Sequence, residues 1–196
     1  MSVTEADRDP LLTLTRWHAE ARERGAVEPD AMTLATVSEG RPSARIVLFK
    51  GLASGKIQFV TNYESRKGRE IEENPQVALV FFWVETMKQV RVEGRAERAS
   101  ADESDRYFAS RPRESQLGAW ASDQSRVAVS REELEARFAE AERRFEGTRV
   151  ERPPHWGIYS VLPEVVELWS SRPHRLHDRL RYQLHGSSWS VDRLFP

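Results

Sequence analysis

Leu11, Leu14, Trp17 and Ala21 recur at helical spacing behind Asp9-Pro10, an N-cap followed by proline at the first helical position. An amphipathic helix is predicted there, ending near Gly25. The pattern then changes to apolar runs rich in Val, Ile, Phe and Thr at 31–38, 41–50, 56–61, 76–84 and 87–98. Turn residues such as Glu39-Gly40 and Ser54-Gly55 separate them, so each reads as a strand. A short helix fits 66–73, between Ser65 and Asn74-Pro75. Ser100-Ala101-Asp102-Glu103 is a capping box that starts a helix toward Ser110, and Pro112 opposes its continuation. A second capping box, Ser130 to Glu133, opens a helix to about Phe145 with Leu134, Phe138, Ala141 and Phe145 as its apolar stripe. Strand character returns at 157–169, 174–184 and 188–194. About eight strands with few, mostly non-alternating helices predict an antiparallel barrel or sheet, mainly β with peripheral helices (α+β).

Composition narrows the function classes. The 196 residues suit one domain over 9–196 behind a polar, frayed 1–8. Thirty Lys plus Arg stand against 31 Asp plus Glu, which leaves no electrostatic footprint for nucleic acid. The absence of cysteine excludes disulfides, thiolate metal sites and a cysteine nucleophile. No long apolar run opens the chain, so neither a signal peptide nor a membrane span is expected, and a cytoplasmic protein follows.

Several clusters could hold anions. Arg45 and Lys50 bracket Ile46-Val47-Leu48-Phe49, and their odd separation on a strand sends them to opposite faces. They either grip two different anions or mark the ends of a buried strand. Ser65-Arg66-Lys67-Gly68 lies at a helix start, where free N–H groups and two cations favour phosphate; an exposed basic turn is the plainer reading. Tyr107 and Arg111, four apart, share a helix face, and Ser115 follows Pro112: a phenol, a guanidinium and a hydroxyl suit a phosphate dianion, or Arg111 simply satisfies the terminal carbonyls of its own helix. On a strand over 174–184, Arg175, His177 and Arg179 would project together, which asks for an anion between them or a solvated edge. His174 and His177 would face opposite ways with no acidic set to complete a metal site, so no metal is expected. No dinucleotide, Walker A or G-x-S-x-G pattern occurs. Phosphate grips without a strong nucleophile imply chemistry borrowed from a cofactor.

These motifs, in order, resemble the FMN-dependent pyridoxine (pyridoxamine) 5′-phosphate oxidases. The matching pieces are Arg45 to Lys50, Thr61-Asn62 with Ser65-Arg66-Lys67, Gln89, Tyr107 to Ser115 within Y-F-x-S-R-P-R-x-S-Q-x-G-A-W, and Gln124-Ser125. Trp169, R-L-H-D-R at 175–179 and the ending Asp192 to Pro196 complete the set. The resemblance implies a homodimeric split β-barrel with FMN at the subunit interface. It implies FMN contacts from Arg45, Val60, Thr61, Arg66, Lys67, Gln89, Gln124, Ser125, Trp169 and Arg179. Lys50, Tyr107, Arg111 and Ser115 would grip the substrate phosphate, and Arg175 and His177 would lie over the pyridine ring as substrate-binding and catalytic groups. The implied reaction oxidises pyridoxamine or pyridoxine 5′-phosphate to pyridoxal 5′-phosphate with O2, releasing H2O2, and ammonia from the amine.

Two departures stand out. The polar 1–8 leave a substrate-covering N-terminal lid missing or shortened, and Ser170-Ser171-Arg172-Pro173 replaces a more glycine-rich linker. The competing readings are a related FMN oxidase of phenazine-type secondary metabolism and a non-catalytic carrier of flavin or pyridoxal phosphate. The intact set Lys50, Tyr107, Arg111 and Ser115 argues against the first, and the Arg175/His177 pair against the second.

Overall fold

The computed structural model describes residues 8–196, so all but Arg8 of the segment expected to fray lies outside the described residues. Among the described residues are α1 (Pro10–Glu23), β1 (Ala31–Ser38), β2 (Arg41–Leu48), β3 (Leu52–Ala53), β4 (Lys56–Asn62) and α2 (Arg66–Glu73). Then come β5 (Gln76–Trp83), β6 (Lys88–Arg98), α3 (Ala101–Ala109), α4 (Arg113–Ala121), α5 (Arg131–Arg144), β7 (Trp156–Ser170), β8 (Asp178–His185) and β9 (Ser188–Arg193). No helix among them is long and apolar enough to cross a membrane.

All strand pairs are antiparallel, and the order β2-β1-β5-β6-β7-β4-β3 curls into a split barrel. The long strand β7 forks the sheet. Its first half pairs with β4 from Trp156 to Val161, and its second half with β8 from Val165 to Ser170. The fork coincides with a register shift in β6 at Glu93/Gly94. A side chain at Gly94 would stand 2.2 Å from the Leu162 carbonyl oxygen, so only glycine fits this close approach. Between β2 and β4 the backbones meet where Lys50 N–H donates to Gln58 O and Gln58 N–H to Gly51 O. Beyond those two bonds the seam opens.

Alternation puts Met32, Leu34 and Thr36 of β1 inside, beside Leu79, Phe81, Phe59, Val90 and Val161. Helix α1 closes this core with Leu14, Trp17 and Ala21, the stripe read from the sequence. A second apolar cluster of Phe108, Leu117, Phe145, Val150 and Trp156 holds α3, α4 and α5 against the start of β7, next to Val60.

Two expectations need correction. Residues 174–177 are not strand: Pro173–Arg175 form a 3-10 turn, with His174 and Arg175 in the left-handed region at φ 58° and 62°. Pro173 has no N–H to give a ladder, and positive φ breaks pleating, so β8 starts only at Asp178. Strand alternation therefore does not place Arg175, His177 and Arg179 on one face. Helix α4 was also missed. Pro112 ends the preceding segment, yet it also caps α4, because the first turn needs no N–H from it.

Candidate active site

The open seam between β2 and β4 is roofed by α3 and α4, and leaves a cavity of about 500 Å³. Its walls are Ile46, Val47 and Leu48 on one side and Val60 and Thr61 on the other. Its polar lining is Lys50, Lys67, Tyr107, Ser110, Arg111, Ser115 and Gln124. Eight of the residues picked from the sequence thus share one chamber: Lys50, Val60, Thr61, Lys67, Tyr107, Arg111, Ser115 and Gln124. Ser115 reaches it from the first turn of α4, and Lys50 from just beyond β2.

One end of the chamber is built on α2. Ser65 caps that helix by accepting from Gly68 N–H at 3.2 Å. Lys67 in the first turn is buried, and its Nζ donates to Gln124 Oε1 at 3.0 Å, Thr61 Oγ1 at 3.2 Å and Ser65 Oγ at 3.4 Å. Burial pushes the Lys67 pKa down, Arg45 adds to the effect and Glu70 opposes it. A desolvated ammonium held by neutral acceptors is ready for an anion. The loop that brings in Gln124 turns through Ser125 at φ 74° and is pinned to α5 by Asp123 and Arg137 at 2.7 Å.

The other end is built on α3 and α4. Arg111 lies 4.5 Å over the Trp156 ring, and its Nη1 is buried with no hydrogen-bond partner among the described residues. Burial lowers the Arg111 pKa, with Tyr107 opposing. A guanidinium nitrogen deprived of water and left unpaired is costly unless a ligand meets it. With the Lys50 ammonium and the Tyr107 and Ser115 hydroxyls it supplies donors suited to a phosphate dianion.

Arg45 and Arg66 stand outside the cavity lining. They meet on Glu70 of α2, a buried carboxylate that accepts from Thr36 at 2.5 Å, Ser43 at 2.8 Å, Arg66 Nε at 2.8 Å and Arg45 Nη2 at 2.9 Å. Arg45 donates further to Leu34 O, Thr36 and Ser43. Burial pushes the Glu70 pKa up, but these hydrogen bonds outweigh it and hold the group at about 2.

The remaining candidates form a separate group. Gln89, Trp169 and Arg179 lie in one row across β6, β7 and β8, since Gln89 pairs with Trp169 and Trp169 with Arg179. His177 packs on Trp169 with ring centroids 4.8 Å apart. Arg179 is held by Glu167 at 2.8 Å, and the same buried carboxylate takes Arg91 at 3.1 Å. Arg175 sits on the strained turn. None of these five lines the seam cavity. Sequence reasoning missed Glu70 and Glu167, the carboxylates behind the arginines. The four-residue step from Arg66 to Glu70 was the available signal for the first.

The family model for pyridoxamine 5′-phosphate oxidase matches residues 18–145, and that for the pyridoxine 5′-phosphate oxidase C-terminal dimerisation region matches 156–196. A pyridoxine/pyridoxamine 5′-phosphate oxidase of Rubrobacter xylanophilus is 59% identical over 97% of this chain and 88% of its own length. That of Burkholderia lata is 53% identical over 100% of this chain and 94% of its own. Among solved structures, PhzG from Burkholderia lata, in complex with tetrahydrophenazine-1-carboxylic acid, superposes with a TM-score of 0.92 at 34% identity, covering 98% of this chain and 95% of its own. The matches span the seam cavity and the Trp169 row alike, and the chain belongs to the pyridoxamine 5′-phosphate oxidase family.

Proposed function

We propose that the protein oxidises pyridoxamine 5′-phosphate and pyridoxine 5′-phosphate to pyridoxal 5′-phosphate, with O2 as acceptor. The cofactor is FMN, a two-electron acceptor that dioxygen reoxidises with release of peroxide. The observation that carries the substrate reading is the buried, unpaired Arg111 nitrogen in a chamber shared with Lys50, Tyr107 and Ser115. The donors around Lys67 fit the flavin phosphate at the other end: Lys67 itself, Thr61 and the start of α2. Arg45 and Arg66, held in place by Glu70, add positive charge behind it.

The protein is a homodimer in this reading, and the dimer resolves the division of the candidate residues. One chain carries a phosphate-gripping chamber and, apart from it, the Gln89–Trp169–Arg179 row with His177 and Arg175. The latter belongs largely to the segment matched by the dimerisation model. A second copy would bring its row to the first copy's chamber, so each site would take its phosphate anchors from one protomer and its ring-facing groups from the other.

In the reaction, Lys50 and Arg111 would hold the substrate phosphate and so fix the ring in register, which spends remote binding energy on orientation. Tyr107 and Ser115 would complete the phosphate's hydrogen bonds. Trp169 would flank the planar ring system. Arg175 and His177 would orient the pyridine ring and the reacting C4′ substituent.

A second reading, oxidation of a reduced phenazine, draws on the likeness to PhzG. A tricyclic carboxylic acid offers only a singly charged carboxylate to the chamber that Lys50, Tyr107, Arg111 and Ser115 line together, a donor set better matched to a phosphate dianion. Comparing pyridoxamine 5′-phosphate with pyridoxamine separates the two. Losing a doubly anchored phosphate should lower kcat/KM by about 100-fold or more. Equal values would move the substrate to the phenazine class.

A further inference from the structure

The segment between Trp169 and β8 has no glycine, yet it makes a tight turn with two successive non-glycine residues in the left-handed region, His174 and Arg175. Such a backbone persists only when its surroundings over-determine it. Asp178 closes the turn. Its Oδ2 accepts from Arg172 Nε at 2.7 Å and its Oδ1 from Arg193 Nη1 of β9 at 2.7 Å. The turn is tied inside by Leu176 N–H to Pro173 O at 3.2 Å, and its start is tied to the sheet by Ser171 N–H to Met87 O at 3.1 Å. Within the ring so formed, the Arg172 backbone N–H donates to His177 Nδ1 at 3.1 Å. A nitrogen that accepts from a backbone donor carries no proton, so neutral His177 must carry its proton on Nε2.

We propose that Asp178 is a positioning residue: through Arg172 and Arg193 it closes residues 172–178 into a ring that presents His177 as a fixed Nε2–H donor beside Trp169. This deepens the oxidase reading and rests on it for the identity of the group that receives the hydrogen bond. His177 then serves as a directed donor to the substrate and not as a base at Nε2, because the lone pair that could take a proton is turned into the ring toward Arg172. The linker of this chain makes the device possible. Arg172 supplies the side chain that Asp178 holds, and Pro173 starts the turn with its φ already fixed.

Long-range 1H–15N spectra of the FMN-loaded protein, 15N-labelled in histidine and recorded where imidazoles are neutral, read the tautomer directly. His177 is identified by the signal lost in His177→Asn. The wild type should show a single Nε2–H tautomer for this residue, and Asp178→Asn a mixture. Arg172→Met should give the same mixture, because it keeps the backbone N–H and removes only the ion pair at a half-exposed side chain. It therefore decides the matter even if Asp178→Asn fails to fold. In turnover, both variants should lose kcat by about 10- to 100-fold with KM for pyridoxamine 5′-phosphate within about twofold, as for misplaced catalytic groups. A single Nε2–H tautomer retained in Arg172→Met, or a wild-type mixture, would overturn the proposal. Should the wild type show the fixed tautomer but no oxidation of pyridoxamine 5′-phosphate, the clamp stands and the substrate reading falls.

Discussion

Replacing Glu70 with glutamine removes a buried charge that accepts from Thr36, Ser43, Arg45 and Arg66 at once. The folded protein holds this carboxyl at about 2, against an ordinary 4.5. A folded pKa below the unfolded one contributes stability that is fully present above about pH 4.5 and lost as pH falls toward 2. At about 1.4 kcal/mol for each tenfold change in acidity, the contribution is of order 3 kcal/mol, and about 2 kcal/mol of it is gone by pH 3. Above pH 5 the glutamine variant should be less stable, because Arg45 and Arg66 lose their common counter-charge. Its acid limb should be correspondingly shallower, so the two stability curves converge as pH falls. Urea unfolding of the flavin-free protein from pH 6 to pH 3 reads this, at one fixed protein concentration because dimer stability depends on it. Parallel curves would refute the assignment of Glu70 as the group that holds the two arginines.

Further outcomes concern the two ends of the chamber and the turn. Lys50→Ala should raise KM for the phosphorylated substrate about 10- to 100-fold, with kcat changed much less; steady-state kinetics with an unchanged KM would place the phosphate elsewhere. Arg111→Ala should act likewise, since its buried nitrogen is the other charged donor to the phosphate. Gly68→Ala would put a methyl 2.1 Å from the Tyr63 carbonyl oxygen and push α2 outward, carrying Arg66 and Lys67 with it. Fluorescence titration with FMN should show at least a tenfold loss of affinity, and wild-type affinity would contradict that placement. Arg175→Ala should depress turnover while FMN stays bound; flavin loss on gel filtration would reassign that side chain.

Where local pattern decides structure, the sequence was readable. Runs rich in Val, Ile, Phe and Thr between turn residues located every long strand but β8 within a residue or two, and both capping-box serines, Ser100 and Ser130, accept from the N–H three residues on. Two local signals pull opposite ways at proline, and there the reading failed. Pro112 ends one segment and caps the next, while Pro173 starts a turn that takes up the first residues of the strand read over 174–184. The chamber residues were legible as types, but their convergence depends on the seam between β2 and β4, which no local pattern encodes. The Glu70 network is less legible still. Thr36 and Ser43 come together only through the register of β1 on β2, and Arg45 joins them there. The fork of β7 decides that Trp169 lines up with both Gln89 and Arg179, a consequence of pairing and not of spacing.

The most direct test is aerobic turnover of purified, FMN-loaded protein with pyridoxamine 5′-phosphate, following pyridoxal 5′-phosphate and peroxide in the same vessel. The chamber with its unpaired Arg111 nitrogen predicts equimolar appearance of both, inhibited by excess inorganic phosphate. A yellow, folded dimer that forms neither would contradict the assignment of this substrate to this site.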